Sequence, residues 1–146
     1  MGLKSGVGLA WMMLTVLLGG TGCQRAQVMK GEMMPQRYCM ILGLQEGALD
    51  EYAEYHRDVW PDVLDALRSA NLTNYSIYVF HADDGLPYLV GYFEYVGSDF
   101  ESDMARIGEL PVIKRWNDTM SKLQRPIDNR KDGEWWAAAE ELFHME

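Results

Sequence analysis

Between Leu49 and Leu67 the chain reads LDEYAEYHRDVWPDVLDAL, and its apolar and aromatic residues return every third or fourth position. Leu49, Tyr52, Ala53, His56, Val59, Trp60, Val63, Leu64 and Leu67 therefore share one face of a helix, which must be buried. A histidine stands in the middle of that stripe. Tyr52 precedes His56 by four residues, so phenol and imidazole lie one above the other, close enough to touch the same ligand. Pro61 interrupts the run, because it has no N–H and collides with the carbonyl of Arg57, and it pushes Trp60 out of helical geometry. A kink or restart near Asp58 to Trp60 is expected, leaving His56 in a last turn. There the helix dipole favours the imidazolium form by a fraction of a kcal/mol up to about 2 kcal/mol, which predicts a proton donor. The competing reading of the same residue is a hydrogen-bonded core histidine.

The rest of the order follows from period and punctuation. Arg37 to Gln45 reads as a strand, the helix runs from Leu49 to Ala70, and Asn74 to Ala82 is a strand rich in aromatic and β-branched residues. Asp83-Asp84-Gly85 carries hairpin turn chemistry, and Leu86 to Val96 returns. Ser98 with Glu101 predicts a capping box for a helix over Asp99 to Gly108. Pro111 opens another helix to about Gln124, Arg125 to Gly133 is a polar loop, and Ala138 to Met145 is a final strand. This is βαββαβ, an α+β chain of ferredoxin-like type. Both alternating sets of the first and third strands are largely apolar, while helices cover only one face. The pattern predicts a homodimer packed sheet on sheet, a dimeric α/β barrel; the alternative is a monomer whose second face is an open pocket. Cys39, inside the first strand, reads as a small core residue.

Composition bounds the rest. The 146 residues suit one domain, and a net charge of −9 opposes binding to a nucleic-acid backbone. Residues 1–22 have the Lys4 charge, apolar run and small-residue flank of a secretory signal. Gly20-Thr21-Gly22-Cys23 is similar to a bacterial lipobox, so Cys23 is the expected lipidation site and the protein an exported, periplasmic or membrane-anchored one. Residues 23–36 read as a polar tether and 37–146 as the folded domain.

No metal-ligand spacing joins His56, His81 and His144, and the glycines form no phosphate loop. No G-x-S-x-G elbow occurs. An aromatic pocket with one titrating group remains.

Tyr52-x-x-x-His56-x-x-x-Trp60-Pro61, Asn74-Tyr75-Ser76-Ile77-Tyr78, Arg115-Trp116 and Glu140-Glu141-Leu142-Phe143-His144 together resemble the L-rhamnose mutarotase family over about Arg37 to Met145. The resemblance implies a dimeric α/β barrel that interconverts the α and β anomers of L-rhamnose or a related 6-deoxy sugar without a cofactor. It implies His56 as proton donor and Tyr52, Tyr75, Trp116 and Asn117 as substrate contacts. Asn117 departs from the family's pattern, which has a second tryptophan there; Trp135 and Trp136 lie in a loop able to restore an aromatic wall, or to pack the loop and dimer edge. Two rival classes stay open: a cofactor-free monooxygenase of dimeric α/β-barrel type and a non-catalytic sugar-binding lipoprotein.

Overall fold

The computed structural model describes residues 34–145. The leader, Cys23 and most of the tether lie outside the described residues. Nine elements follow in order: β1 (Gln36–Leu44), α1 (Leu49–Arg57), α2 (Pro61–Ser69), β2 (Leu72–His81), β3 (Pro87–Tyr95), α3 (Phe100–Gly108), α4 (Pro111–Met120), β4 (Gln124–Arg125) and β5 (Ala137–Ala139). The sheet order is β2-β3-β1, with β4 and β5 both antiparallel to the far edge of β1. This is the ferredoxin-like order with its last strand split in two.

The break at Pro61 is where the proline chemistry puts it. Trp60 is extended, with φ −53° and ψ 128°, and Pro61 occupies the first turn of α2, where the missing N–H costs nothing. The cap of α3 lies one residue later than the Ser98 reading: the Asp99 carboxylate accepts from the Ser102 N–H at 3.0 Å. The predicted strand over Ala138 to Met145 is corrected to the three residues of β5, because only Ala137–Ala139 meet β1. Past it, Arg37 donates to both oxygens of Glu141 at 2.7 and 2.9 Å, tying the tail to β1. The hairpin turn closes on Gly85, at φ 77°, with Asp84 accepting from the Leu86 N–H and the Tyr88 hydroxyl.

Strand register sorts the side chains. Leu42 pairs with Leu89 and Tyr38 with Phe93, and all four face the helices. One core joins Val63 and Ala66 of α2, with Ala70 just after it, to Phe93, Met104, Ile107 and Ile113; a second joins Leu44, Ala48, Tyr52, Leu89, Met120 and Leu123. Each large side chain fully buried there contributes about 1.5–3 kcal/mol. The ring of Tyr38 stacks on Phe93 and Phe100, at 4.9 and 4.5 Å between centroids.

Among the described residues, no helix lies on the other face of the sheet. It carries Ile41, Tyr78, Phe80, Tyr88, Val90 and Tyr92, and Tyr78 and Phe80 are 62% and 59% exposed. Cys39 belongs here, opposite Tyr92 and Ala139, which corrects its reading as a core residue: it is half-buried on the uncovered side.

β2 holds one irregularity that matters for the site. Thr73 pairs with Glu94 and Ser76 with Tyr92, so two residues, Asn74 and Tyr75, face the single Phe93. Asn74 takes φ 49° and donates to Glu94 at 3.1 Å. A strand alternates faces, so one extra residue flips the next side chain. The bulge turns Tyr75 to the helix side, where its ring lies 5.4 Å from Phe93.

Candidate active site

The helix side of the sheet gathers the expected residues. On α1 the rings of Tyr52 and His56 stack at 4.1 Å, as the four-residue spacing requires. Trp116 of α4 meets His56 edge-on at 5.4 Å and Trp60 at 5.2 Å, and Tyr55 adds a further edge at 6.2 Å. The Arg115 guanidinium lies 4.6 Å above Trp60, fixing that wall from outside. Tyr75 arrives from β2 on the same side, close enough that ionising it would raise Tyr52 further. It also borders a hollow of about 260 Å³ between α2 and β2 that runs from Leu64 and Leu67 to Asn74.

The protonation of His56 differs from the expected one. Its Nδ1 lies 2.9 Å from the Tyr52 carbonyl oxygen, which can only accept, so Nδ1 carries the proton and donates. Nε2 has no hydrogen-bond partner among the described residues. Burial lowers the pKa of the ring below its usual value, and the bond to the Tyr52 carbonyl opposes this only in part. The helix-end position is as predicted, with His56 in the last turn of α1. The imidazole is neutral at pH 7, with a free lone pair on Nε2: a proton acceptor in its resting form.

Both tyrosines stay protonated. Burial raises Tyr52, with smaller contributions from Tyr75 and an opposing one from the side-chain amide of Gln124. Tyr75 is 37% exposed overall, and burial of its hydroxyl pushes the phenol up to about 12.

Asn117 is half-buried on α4, and its side chain makes no hydrogen bond to another described residue. Trp136 packs against the core around Tyr52. Trp135 reaches Gln124, donating from Nε1 to Oε1 at 2.8 Å. Among the described residues no cluster of three or more His, Cys, Asp or Glu is arranged to hold a metal ion.

A family model described as L-rhamnose mutarotase matches residues 37–145. The chain belongs to the L-rhamnose mutarotase family. It is similar to the L-fucose mutarotase of Xanthomonas campestris, 31% identical over 119 residues that cover 77% of this chain and 90% of that one. The L-rhamnose mutarotase of Burkholderia cenocepacia is 30% identical over 109 residues, 70% of this chain and 91% of the other. Among solved structures, the L-rhamnose mutarotase of Formosa agariphila superposes with a TM-score of 0.57 at 24% identity, covering 76% of this chain and 99% of its own, and shares the fold.

Within this mutarotase-family domain the structure brings together His56, Tyr52, Tyr75 and Trp116, and leaves the Asn117 side chain without a hydrogen bond to another described residue. Sequence reasoning missed Gln124, a lone polar residue between Leu123 and Arg125 with no periodic signal of its own. Trp135 and Trp136 were visible only as aromatic residues in a loop.

Proposed function

We propose that this chain is an isomerase that exchanges the anomers of L-rhamnose or a related 6-deoxy sugar such as L-fucose. The observation that carries the reading is the neutral His56 ring, with Nδ1 committed to the Tyr52 carbonyl and Nε2 free among Tyr52, Trp116 and the aromatic wall. Opening a cyclic hemiacetal removes a proton from the anomeric hydroxyl, breaks the bond from the anomeric carbon to the ring oxygen, and leaves a proton on that oxygen. Nothing is oxidised or reduced, so acid–base groups suffice. Nε2 takes the hydroxyl proton and the imidazolium so formed passes it to the ring oxygen; once the open chain turns its other carbonyl face to that oxygen, the same two transfers run in reverse and the ring recloses as the other anomer. The rings of Trp116 and Trp136 hold the apolar face and methyl group, while Tyr52 and Tyr75 orient the oxygens.

Saturation transfer between the anomeric proton resonances of L-rhamnose, and separately of L-fucose, tests the reading. Exchange is expected to be faster with protein than in buffer for at least one sugar; no acceleration of either overturns it. The rate is also expected to fall as pH drops through a pKa below 6.5 and to be flat above, because protonating Nε2 removes the acceptor. The stability sign agrees. The unfolded chain binds this proton more readily, so the buried neutral ring lowers stability as pH falls below 6.5.

The second copy of the predicted homodimer covers the helix-free face. Tyr78 and Phe80 lie exposed there, and Arg125, lying over Gly43 and Tyr88 on the same face, has one buried guanidinium nitrogen without a partner among the described residues. A partner copy brings both apolar cover and an acceptor. Tyr78→Glu with Phe80→Glu is expected to halve the mass measured by light scattering. A wild-type protein that is monomeric at tens of micromolar contradicts the dimer. Residues 1–22 direct export, and Cys23 carries the anchor; the intact mass of the mature chain reads both.

A further inference from the structure

Past β5 the described chain forms no further helix or strand, and its apolar side chains rest on nothing: Leu142, Phe143 and Met145 are 87%, 81% and 77% exposed. The segment is nevertheless held, because the Glu141 carboxylate accepts from Nε and Nη2 of Arg37 at 2.7 and 2.9 Å. Arg37 alternates in phase with Cys39 and Ile41, so the tie sits on the helix-free side of the sheet. Three uncovered apolar side chains beyond a fixed point make an arm that requires a surface to lie on.

A surface of the right size lies at the opposite edge of the same sheet. The hollow of about 260 Å³ between α2 and β2 is walled by Leu64, Leu67 and Leu72 and bordered by Thr73 and Tyr75. A cavity of roughly 150 Å³ already admits a benzene ring. β2 pairs only with β3, so its outer edge, beside the hollow, has no strand on it among the described residues and can take an extended segment. The arm of the same chain leaves the hollow empty, since its Phe143 ring is in solvent.

Symmetry brings arm and hollow together. A two-fold axis that runs between two facing sheets and along their strands exchanges the left and right edges but leaves every residue at its own height. The β2 edge of one copy then lies opposite the β5 edge of the other. Arg37 pairs with Glu94 and Glu94 with Thr73, one row across the sheet, so the tie of the arm and the border of the hollow share a height. The exposed Tyr78 and Phe80 of β2 continue the same surface.

We propose that residues 142–145 of each copy dock at the β2 edge of the other, with the Phe143 ring entering the hollow between α2 and β2 beside Tyr75. The inference rests on the sheet-on-sheet dimer proposed above and deepens it: the partner copy supplies an aromatic wall next to a tyrosine of the candidate site, so each site is completed by the other chain.

The test replaces Phe143 in the full chain by the photo-crosslinker p-benzoylphenylalanine and irradiates an equal mixture of isotope-labelled and unlabelled protein after subunit exchange. Crosslinks from position 143 to peptides of α2 or the start of β2, about half of them joining a labelled to an unlabelled chain, are expected. Crosslinks confined to one chain, crosslinks to any other element, or none in a dimeric protein overturn the arm and leave the dimer standing; a wild-type protein that is monomeric by light scattering overturns the dimer itself. Phe143→Ala removes a ring that does not support its own fold and is expected to raise the dimer dissociation constant at least about 10-fold. Thr73→Trp, which fills the hollow from an exposed position, is expected to do the same, and the pair together no more than either alone. An unchanged dissociation constant in both single variants, or losses that multiply in the pair, overturns the proposal.

Discussion

Replacing His56 by alanine is expected to lower protein-dependent anomer exchange by roughly 10² to 10⁴, the usual worth of a positioned acid–base group. The melting temperature should move little, because the ring is only half-buried and its one hydrogen bond is to the carbonyl of its own helix. His56→Asn sharpens the result. An asparagine amide can still donate to the Tyr52 carbonyl, but its oxygen is too weak a base to hold the proton, so the loss should match that of alanine. A variant that retains wild-type exchange removes His56 from the reaction and moves the search to Tyr52 and Tyr75. Saturation transfer on both sugars, across pH 5 to 8, provides the measurement.

The largest expected effect on stability belongs to Phe93. It is buried between Tyr38, Phe100 and Tyr75 and lies at the heart of the larger core. Phe93→Ala is expected to cost about 3–5 kcal/mol, from lost burial and the cavity left where three rings converge. For a domain of this size that is a fall in melting temperature of at least about 10 °C. The substitution should also weaken sugar binding, since the bulged segment rests Tyr75 on this ring. Phe93→Leu, which keeps most of the volume, is expected to recover most of the stability and part of the binding. If Phe93→Ala melts like the wild type, the aromatic stack is not what supports this face.

Local chemistry was readable before any coordinates. The stacking of Tyr52 on His56 follows from a four-residue spacing, and the restart at Pro61 follows from a missing N–H, because both depend on neighbours within one turn. What depended on distant partners was not readable. The bulge at Asn74 exists only relative to β3, so nothing within Asn74-Tyr75-Ser76 tells which face receives the phenol. The division of the last strand between β4 and β5 is likewise a property of where β1 has free backbone, and of the eight residues that read as one strand only Ala138 and Ala139 pair with β1, joined by Ala137 before them. Cys39 looked like a core residue because both alternating sets of β1 are apolar; only the pairing with Tyr92 assigns it to the open face. The charge of His56 was misjudged for a related reason. The helix-end effect is local and visible, whereas the desolvation that lowers the ring's pKa depends on packing against residues of other elements such as Trp116. Gln124 carried no signal at all until Trp135 was seen to reach it.

The alternation along β3 sets a parity rule on this domain. Leu89, Phe93 and Tyr95 go inward while Tyr88, Val90, Tyr92 and Glu94 go outward, so each successive residue is committed to a different customer. Deleting one residue between Leu89 and Phe93 would exchange the two sets at a stroke, sending an anchor ring outside and a tyrosine meant for the outer surface beneath the helices. Losing or gaining two preserves the assignment. Descendants of this sheet can therefore lengthen or shorten by even steps, and an odd step survives only where a left-handed residue such as Asn74 absorbs the remainder.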